Sequence, residues 1–315
     1  MPQTAPGSLD ASYDYAIGVT RRAGSNFHLA FRTLPRPMYR AMCVVYAYMR
    51  ISDDLVDGCD SPAGNPRLAL NDWKHKVEQL PDPADHPLFP ALGDVMSRCG
   101  IERDWLLQVL FGMERDLDWR EFPDFNSLSE YCDQVAGMSG LCCQALWGAD
   151  LSQTRELALT CGRAFQMTNI LRDLVEDSSR ARCYLPADER VHFGCPEQMV
   201  ESGRFHPAWR NLIQFQIGRT NAFYAEASEL ERLLSGPGRR MFRIMFATYH
   251  SLLEQIIRDP DVVAVRRVRL TKSQKLKILL MAPHCSLASR FRHCPPRQTD
   301  ADSTPSAPLG QQLNS

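Results

Sequence analysis

Two short stretches of the chain carry acids and amides at helical spacing. The first is Tyr46-Ala47-Tyr48-Met49-Arg50-Ile51-Ser52-Asp53-Asp54-Leu55-Val56-Asp57. Asp53 and Asp57 are four apart, so a helix stacks their carboxylates on one face, and Tyr46 and Arg50 extend that face toward the N-terminus. The second is Gln166-Met167-Thr168-Asn169-Ile170-Leu171-Arg172-Asp173-Leu174-Val175-Glu176-Asp177. Asn169, Asp173 and Asp177 form one row at steps of four, with Gln166 close beside it. The intervening Ile170, Leu171, Leu174 and Val175 are apolar, so the polar row borders a buried surface. A single Asp-x-x-x-Asp pair is commonly just a solvated face. Two of them, each with an arginine just before its first aspartate, favour a cation held between facing helices. Magnesium takes oxygen ligands and shares them with substrate phosphates. Such a cage suits chemistry in which a diphosphate departs: the metal neutralises the leaving oxygens while cationic side chains grip the group. Arg50, Arg172 and Arg182 lie near the acids, and Arg267 and Lys275 belong to a basic run from Arg266 to Lys277. Read alone, that run is equally a solvated face or a membrane-surface patch.

Long helices are needed to present these rows, and helical periodicity dominates the chain, with no convincing alternating strand pattern. The spacing predicts helices over 12–30, 37–56, 103–119, 127–147, 152–177, 207–234 and 239–258. Proline and glycine punctuate the intervals, at Leu34-Pro35-Arg36-Pro37, Gly58 to Pro66, Pro81 to Pro87 and Ser235-Gly236-Pro237-Gly238. Residues 184–203 read as a loop with one short helix. The expected class is all-α: a single bundle of long helices whose site is built from facing side chains. Residues 1–10 are expected to be a flexible N-terminus, 11–290 the catalytic domain, and 291–315, rich in Pro, Ser, Asp and Gln, a disordered tail.

Composition narrows the function classes. Hydrophobic residues make up 44% of the 315 and charged residues 23%, ordinary for a folded soluble protein. A net charge of -1 gives no general pull toward nucleic acid. No apolar run approaches the roughly 20 residues that span a bilayer, and Met1 to Ser8 lack the apolar core of a secretion signal. A cytoplasmic protein is the simple reading, with peripheral membrane contact for releasing a lipophilic product. The eleven cysteines are odd in number and scattered through apolar helical stretches, which suits buried free thiols. His284-Cys285 and His293-Cys294 match no common zinc spacing.

With both acidic rows in view, the chain resembles the squalene/phytoene synthase family. The likeness runs from about Tyr13 to Leu280. It takes in Asn26-Phe27 leading to Leu34-Pro35, Arg50 with Asp53 to Asp57, and Val135-Ala136-Gly137-Met138-Ser139-Gly140. It continues through Gln166 to Asp177, Arg182-Cys183-Tyr184-Leu185-Pro186, Tyr249, Arg267-Val268 and Lys275-Leu276. The resemblance implies an isoprenoid synthase fold and a two-step reaction. One prenyl diphosphate ionises to an allylic cation, and the double bond of a second attacks it to give a cyclopropylcarbinyl diphosphate. Some members stop there, while others rearrange that intermediate to squalene, dehydrosqualene or phytoene. By matched motif, Asp53, Asp57, Asn169, Asp173 and Asp177 hold two or three magnesium ions. Tyr46, Arg50, Gln166, Arg172, Arg182, Tyr249, Arg267 and Lys275 contact substrate or diphosphate. Many members carry a serine-rich phosphate-binding turn where this chain reads Ala23-Gly24-Ser25-Asn26-Phe27; Gly24, Ser25, Asn26 and Phe27 supply what donors and contacts that turn retains.

Phe31, one helical turn after Phe27, resembles part of the family's tunnel floor. A bulky ring there favours farnesyl over geranylgeranyl chains, hence presqualene diphosphate or a squalene-type product over phytoene. Reduction to squalene needs NADPH, for which no Gly-x-Gly-x-x-Gly unit is present; synthases of this family manage without one. Two other readings stand beside this one. Non-catalytic relatives of the same fold act as assembly factors but tend to lose the acids, which this chain keeps. Chain-elongating prenyltransferases lack the Val-Ala-Gly and Arg182-Cys183-Tyr184 segments.

Overall fold

The computed structural model describes residues 8–24, 28–56, 65–80 and 85–287. Asp57, Ser25, Asn26, Phe27 and the tail from 291 lie outside them. Within the described residues the chain is a bundle of helices with one two-residue hairpin. The first group is α1 (Leu9–Arg22), α2 (His28–Phe31), α3 (Arg36–Val56), α4 (Pro66–Glu78), α5 (Phe89–Cys99) and α6 (Arg103–Leu117). Next come α7 (Phe125–Cys132), a π-helical turn (Asp133–Gly137), α8 (Met138–Leu146) and α9 (Leu151–Ser179). The rest is α10 (Ala187–His192), β1 (Val200–Glu201), β2 (Arg204–Phe205), α11 (Pro207–Ala227), α12 (Leu230–Leu233), α13 (Gly236–Arg258), α14 (Val262–Val265) and α15 (Lys272–Met281).

The all-α class expected from periodicity is the one observed, with differences in detail. Helix α1 begins at Leu9, capped by the Ser8 hydroxyl, so it reaches into the stretch expected to be flexible. Helices α4 and α5 fill ground that the sequence reading left unassigned between prolines. The expected helix 127–147 is interrupted by the π turn, and 207–234 divides into α11 and α12. The strands β1 and β2 pair antiparallel through Val200 with Phe205 and Glu201 with Arg204; two residues are too few for an alternating pattern to register in sequence.

Helix α9, 29 residues long, is the axis of the bundle. The Asp150 side chain caps its N-terminus by accepting from the Ser152 amide. It packs against α8, α11, α13 and the π turn. Three glycines set how close that turn comes to its neighbours. A Cβ on Gly162 of α9 would sit 2.5 Å from the Gly137 nitrogen, and one on Gly112 of α6 would sit 2.6 Å from Val135 Cγ1. At Gly162 backbone meets backbone, while at Gly112 the crowding comes from the Val135 and Gln134 side chains. Arg163 braces the same crossing by donating to both oxygens of Asp133, at 2.7 and 2.5 Å.

Helix α3 is fixed from behind. Ser52 donates to the Tyr48 carbonyl, Trp73 Nε1 of α4 donates to Ser52 Oγ at 3.0 Å, and buried Tyr48 donates to the Leu106 carbonyl. With Tyr48 and Ser52 turned into the core, the face carrying Tyr46, Met49 and Asp53 is left to look into the interior of the bundle. The cysteines within the described residues are free thiols, and Cys43, Cys132, Cys142 and Cys161 are buried. No described helix is long and apolar enough to cross a membrane.

Candidate active site

A cavity of about 530 Å³ runs between α3, α8, α9 and α13. Its polar end gathers Asp53 from α3, Gln166, Asn169, Arg172, Asp173 and Asp177 from α9, and Arg180 and Arg182 just beyond. Tyr46, Phe31 and Tyr249 line it further in, and its remaining wall is largely apolar. Helix α9 can serve both ends because its polar row and the core residues Met167, Ile170, Leu171 and Leu174 lie on different faces.

The polar end is tightly wired. The Asp173 carboxylate accepts from Arg172 Nε at 2.8 Å and Nη2 at 2.5 Å. It also accepts from Arg267, through Nε at 2.8 Å and Nη2 at 2.9 Å. Arg267 further approaches Glu176 at 3.5 Å. Asp177 has no such clamp: burial, then the neighbouring charges of Asp173 and Glu176, push its carboxyl up to about 6 against the pull of Arg180. Asn169 donates to Gln166 Oε1 at 3.3 Å. Its own Oδ1 is buried with no hydrogen-bond partner. Tyr249 stacks on Phe165 with ring centroids 4.3 Å apart, and burial raises its hydroxyl pKa while Arg172 and an Asn169 hydrogen bond oppose the shift.

A second polar knot on the cavity wall was not expected from sequence. Asp116 of α6 accepts from the Tyr131 hydroxyl at 3.0 Å and the Tyr184 hydroxyl at 2.7 Å, and its carbonyl accepts from Arg182 at 2.9 Å. Burial and the Asp116 charge push both phenols up, so both stay protonated at neutral pH. Asp116 stands alone in Glu114-Arg115-Asp116-Leu117, without a second acid at helical spacing, so no pattern marks it. Of its partners, only Arg182 and Tyr184 lay in a segment already singled out.

Of the residues expected at the site, Phe31, Tyr46, Asp53, Gln166, Asn169, Arg172, Asp173, Asp177, Arg182 and Tyr249 line the one cavity. Arg267 reaches it through Asp173. Arg50 does not: its guanidinium pairs with Asp54, four residues on, outside the lining. Asp54 competes for it because the i,i+4 partner is always in reach on a helix. Lys275 sits half-buried on α15, also outside the lining. Gly24 closes the turn after α1 with φ +60, a backbone conformation glycine adopts without strain. Asp57, Ser25, Asn26 and Phe27 lie outside the described residues.

Among the described residues no three acidic, His or Cys side chains converge closely enough to hold a metal by themselves. The donor set still fits a hard cation. All its groups are oxygens, Asn169 presents an orphaned buried Oδ1, and the Asp177 carboxyl is raised by burial and by the neighbouring charges of Asp173 and Glu176, which a cation would offset. Magnesium commonly takes only one or two protein carboxylates and completes its shell with phosphate and water.

The Squalene/phytoene synthase family model matches residues 20–274. The chain belongs to that family. Phytoene synthase of Arthrospira platensis is 30% identical over 293 residues, 88% of this chain and 94% of the relative. Phytoene synthase 2 of Solanum lycopersicum is 31% identical over 93% of this chain and 94% of the relative. A dehydrosqualene synthase crystal structure superimposes with a TM-score of 0.78 at 24% identity, over 86% of this chain and 95% of that one. A squalene synthase from Alicyclobacillus acidocaldarius does so at 0.73, also 24% identical, over 81% and 96%. The fold is thus the isoprenoid synthase fold. As a family member the protein is a prenyltransferase of the squalene/phytoene synthase type, which joins prenyl diphosphates head to head.

Proposed function

We propose that the protein condenses two farnesyl diphosphates to presqualene diphosphate with magnesium, releasing diphosphate. The observation that carries the reading is the cavity's polarity: carboxylates, an orphaned amide oxygen and arginines at one end, and a largely apolar remaining wall that includes the buried ring of Phe31. Asp53, Asn169, Asp173 and Asp177, with Asp57, are the groups that would hold magnesium, which when bound neutralises charge on the departing diphosphate. Arg172, Arg267 and Arg182 grip the diphosphate oxygens, Arg172 and Arg267 exchanging Asp173 for phosphate as they do so. The first chain loses diphosphate from C1, leaving an allylic cation. The double bond of the second chain attacks it, and loss of a proton closes the cyclopropane ring. The apolar wall keeps water from the cation, and the Phe165–Tyr249 stack offers it π faces. Tyr131 and Tyr184, each donating its hydroxyl to Asp116, line the same chamber as neutral phenols rather than bases.

A second reading is condensation of two geranylgeranyl diphosphates to phytoene, favoured by the relatives from Arthrospira and Solanum, which are phytoene synthases. The purified protein, given each diphosphate with magnesium and with or without NADPH, separates the readings by mass spectrometry of the extract. Presqualene diphosphate, or squalene-type hydrocarbon from it, is expected from the farnesyl substrate. Phytoene from the longer substrate, with the farnesyl one untouched, moves the assignment to the second reading. No consumption of either leaves neither standing.

A further inference from the structure

Helix α15 has a side that the fold leaves open. None of its residues is fully buried, although a Thr271–Gln274 capping box fixes its start. Ile278 and Leu279 turn inward and pack against the core. Leu276, Leu280 and Met281 turn outward, each more than half exposed. Leu276 and Leu280 are four apart, so one strip of the outer face carries both, and exposed Lys272 and Lys277 stand beside it. A helix that is apolar on both sides is normally covered on both sides. Among the described residues nothing covers the outer one. The helix is also firmly held. Arg267, just before it, pairs with Asp173 at the polar end of the cavity. Just after it, Arg243 donates to the Pro283 carbonyl at 2.7 Å, and Glu231 accepts from the Leu287 amide at 2.6 Å. Glu231 and Arg243 bond each other at 2.6 Å, and their chain neighbours Leu230 and Phe242 line the cavity.

Charge says what kind of surface meets this face. The sequence from Val262 to Thr299 holds nine of the 36 basic residues and none of the 37 acidic ones, so the rest of the chain carries 27 against 37. In the described part the basic residues are Arg266, Arg267, Arg269, Lys272, Lys275 and Lys277. Arg267 is committed to Asp173 and Glu176, and the other five make no ion pair among the described residues. Asp261, the acid that bounds the run, is taken by Arg210. A second copy of this chain would set the same positive charge against itself, because a two-fold interface repeats one patch on both partners. An apolar strip among unpaired cations on long stems suits a lipid surface instead. The leucines enter the acyl boundary while the ammonium and guanidinium heads reach anionic headgroups. We propose that the outer face of α15, with Arg266 and Arg269 beside it, docks the protein on an anionic lipid bilayer. The docking is argued from this surface alone and stands or falls apart from the reaction in the cavity.

The test sediments the full-length protein with vesicles of phosphatidylcholine alone and of phosphatidylcholine mixed with phosphatidylglycerol. Binding is expected on the mixed vesicles, far weaker on the neutral ones, and falling as added salt screens the charges. Two double variants probe the face: Leu276→Ser with Leu280→Ser, and Lys272→Glu with Lys277→Glu. All four side chains are exposed, so circular dichroism should match wild type. Each pair should raise the apparent Kd for the mixed vesicles by about tenfold or more, since each cation near an anionic surface and each buried leucine adds to the attraction. No binding to either vesicle overturns the proposal. So does binding that ignores vesicle charge, or that both variants leave unchanged, since docking would then lie elsewhere. A dimer in solution that the serine pair dissolves would assign the face to a second copy and overturn it too.

Discussion

Asp173 accepts from two arginines; under the proposed function it would turn to a cation as those arginines turn to diphosphate. Its four contacts to Arg172 and Arg267 hold the carboxylate in place at the polar end of the cavity. The side chain takes no part in apolar packing, so Asp173→Asn should leave the fold nearly intact, with circular dichroism and melting close to wild type. Turnover should fall by orders of magnitude, because the variant removes a ligand charge and loosens both arginines; wild-type-like turnover at saturating magnesium would end its assigned role. Asp177 makes a different prediction. Its folded carboxyl sits at about 6 against an ordinary 3.8, so the folded chain binds that proton more tightly than the unfolded one. The metal-free protein should therefore gain stability from this group as pH falls below about 6, and lose that gain as pH rises through 6. In Asp177→Asn the dependence of melting temperature on pH between about 4 and 6 should flatten. An unchanged slope would assign the pH response to other groups. The acid rows were legible in sequence because helical spacing alone aligns them. Asp116 was not, because its partners Tyr131 and Tyr184 come from distant segments that only the fold unites. Spacing placed Arg50 on the acidic face, and its guanidinium pairs there with Asp54, four residues on.

At the scale of the element, the informative feature is the π turn at Asp133–Gly137. The apolar period of 127–147 fits one helix, and nothing in that period specifies winding with one extra residue per turn. The turn exists where α6 and α9 press on it, at contacts that tolerate only Gly112 and Gly162. Such bulges often accompany functional sites, and here Val135 and Ala136 of the turn line the cavity. Gly162→Ala should therefore act on stability and substrate together. The added Cβ meets backbone, which cannot yield as a flexible side chain would, so a cost of roughly 1–3 kcal/mol is expected, as for overpacking in general. Calorimetry should show a lowered melting temperature, and kinetics a raised KM as the wall shifts. A variant with wild-type melting and KM would mean the crossing has slack that the distances deny. Helices α4 and α5 teach a separate lesson. Leu70, Trp73 and Val77 follow helical spacing and are buried, yet the prolines on either side drew attention to the breaks and away from the elements between them.

At the scale of the whole molecule, the long helices set how much chain the cavity accepts. Between Asp177 and Ala158 helix α9 covers nearly thirty ångströms, about 28 Å at the helical rise. Under the proposed function, width at chosen points along this axis would decide which prenyl chain fits. Phe31 supplies such a point. Its ring is 2% exposed and meets Tyr46 edge-on, with centroids 5.9 Å apart, which fixes it against α3 within two turns of Asp53. Phe31→Ala should open the cavity there, at a stability cost of roughly 3–5 kcal/mol for a fully buried ring. The freed space should raise kcat/KM for geranylgeranyl diphosphate relative to farnesyl diphosphate. Each methylene newly accommodated contributes only about 0.8 kcal/mol, and the Tyr46 ring still restricts the passage, so the gain should be modest. The measurement is the ratio of the two specificity constants in wild type and variant, taken at a temperature where both remain folded. A ratio that stays put makes Phe31 ordinary core. A wild type that already prefers the longer chain shifts the product to phytoene.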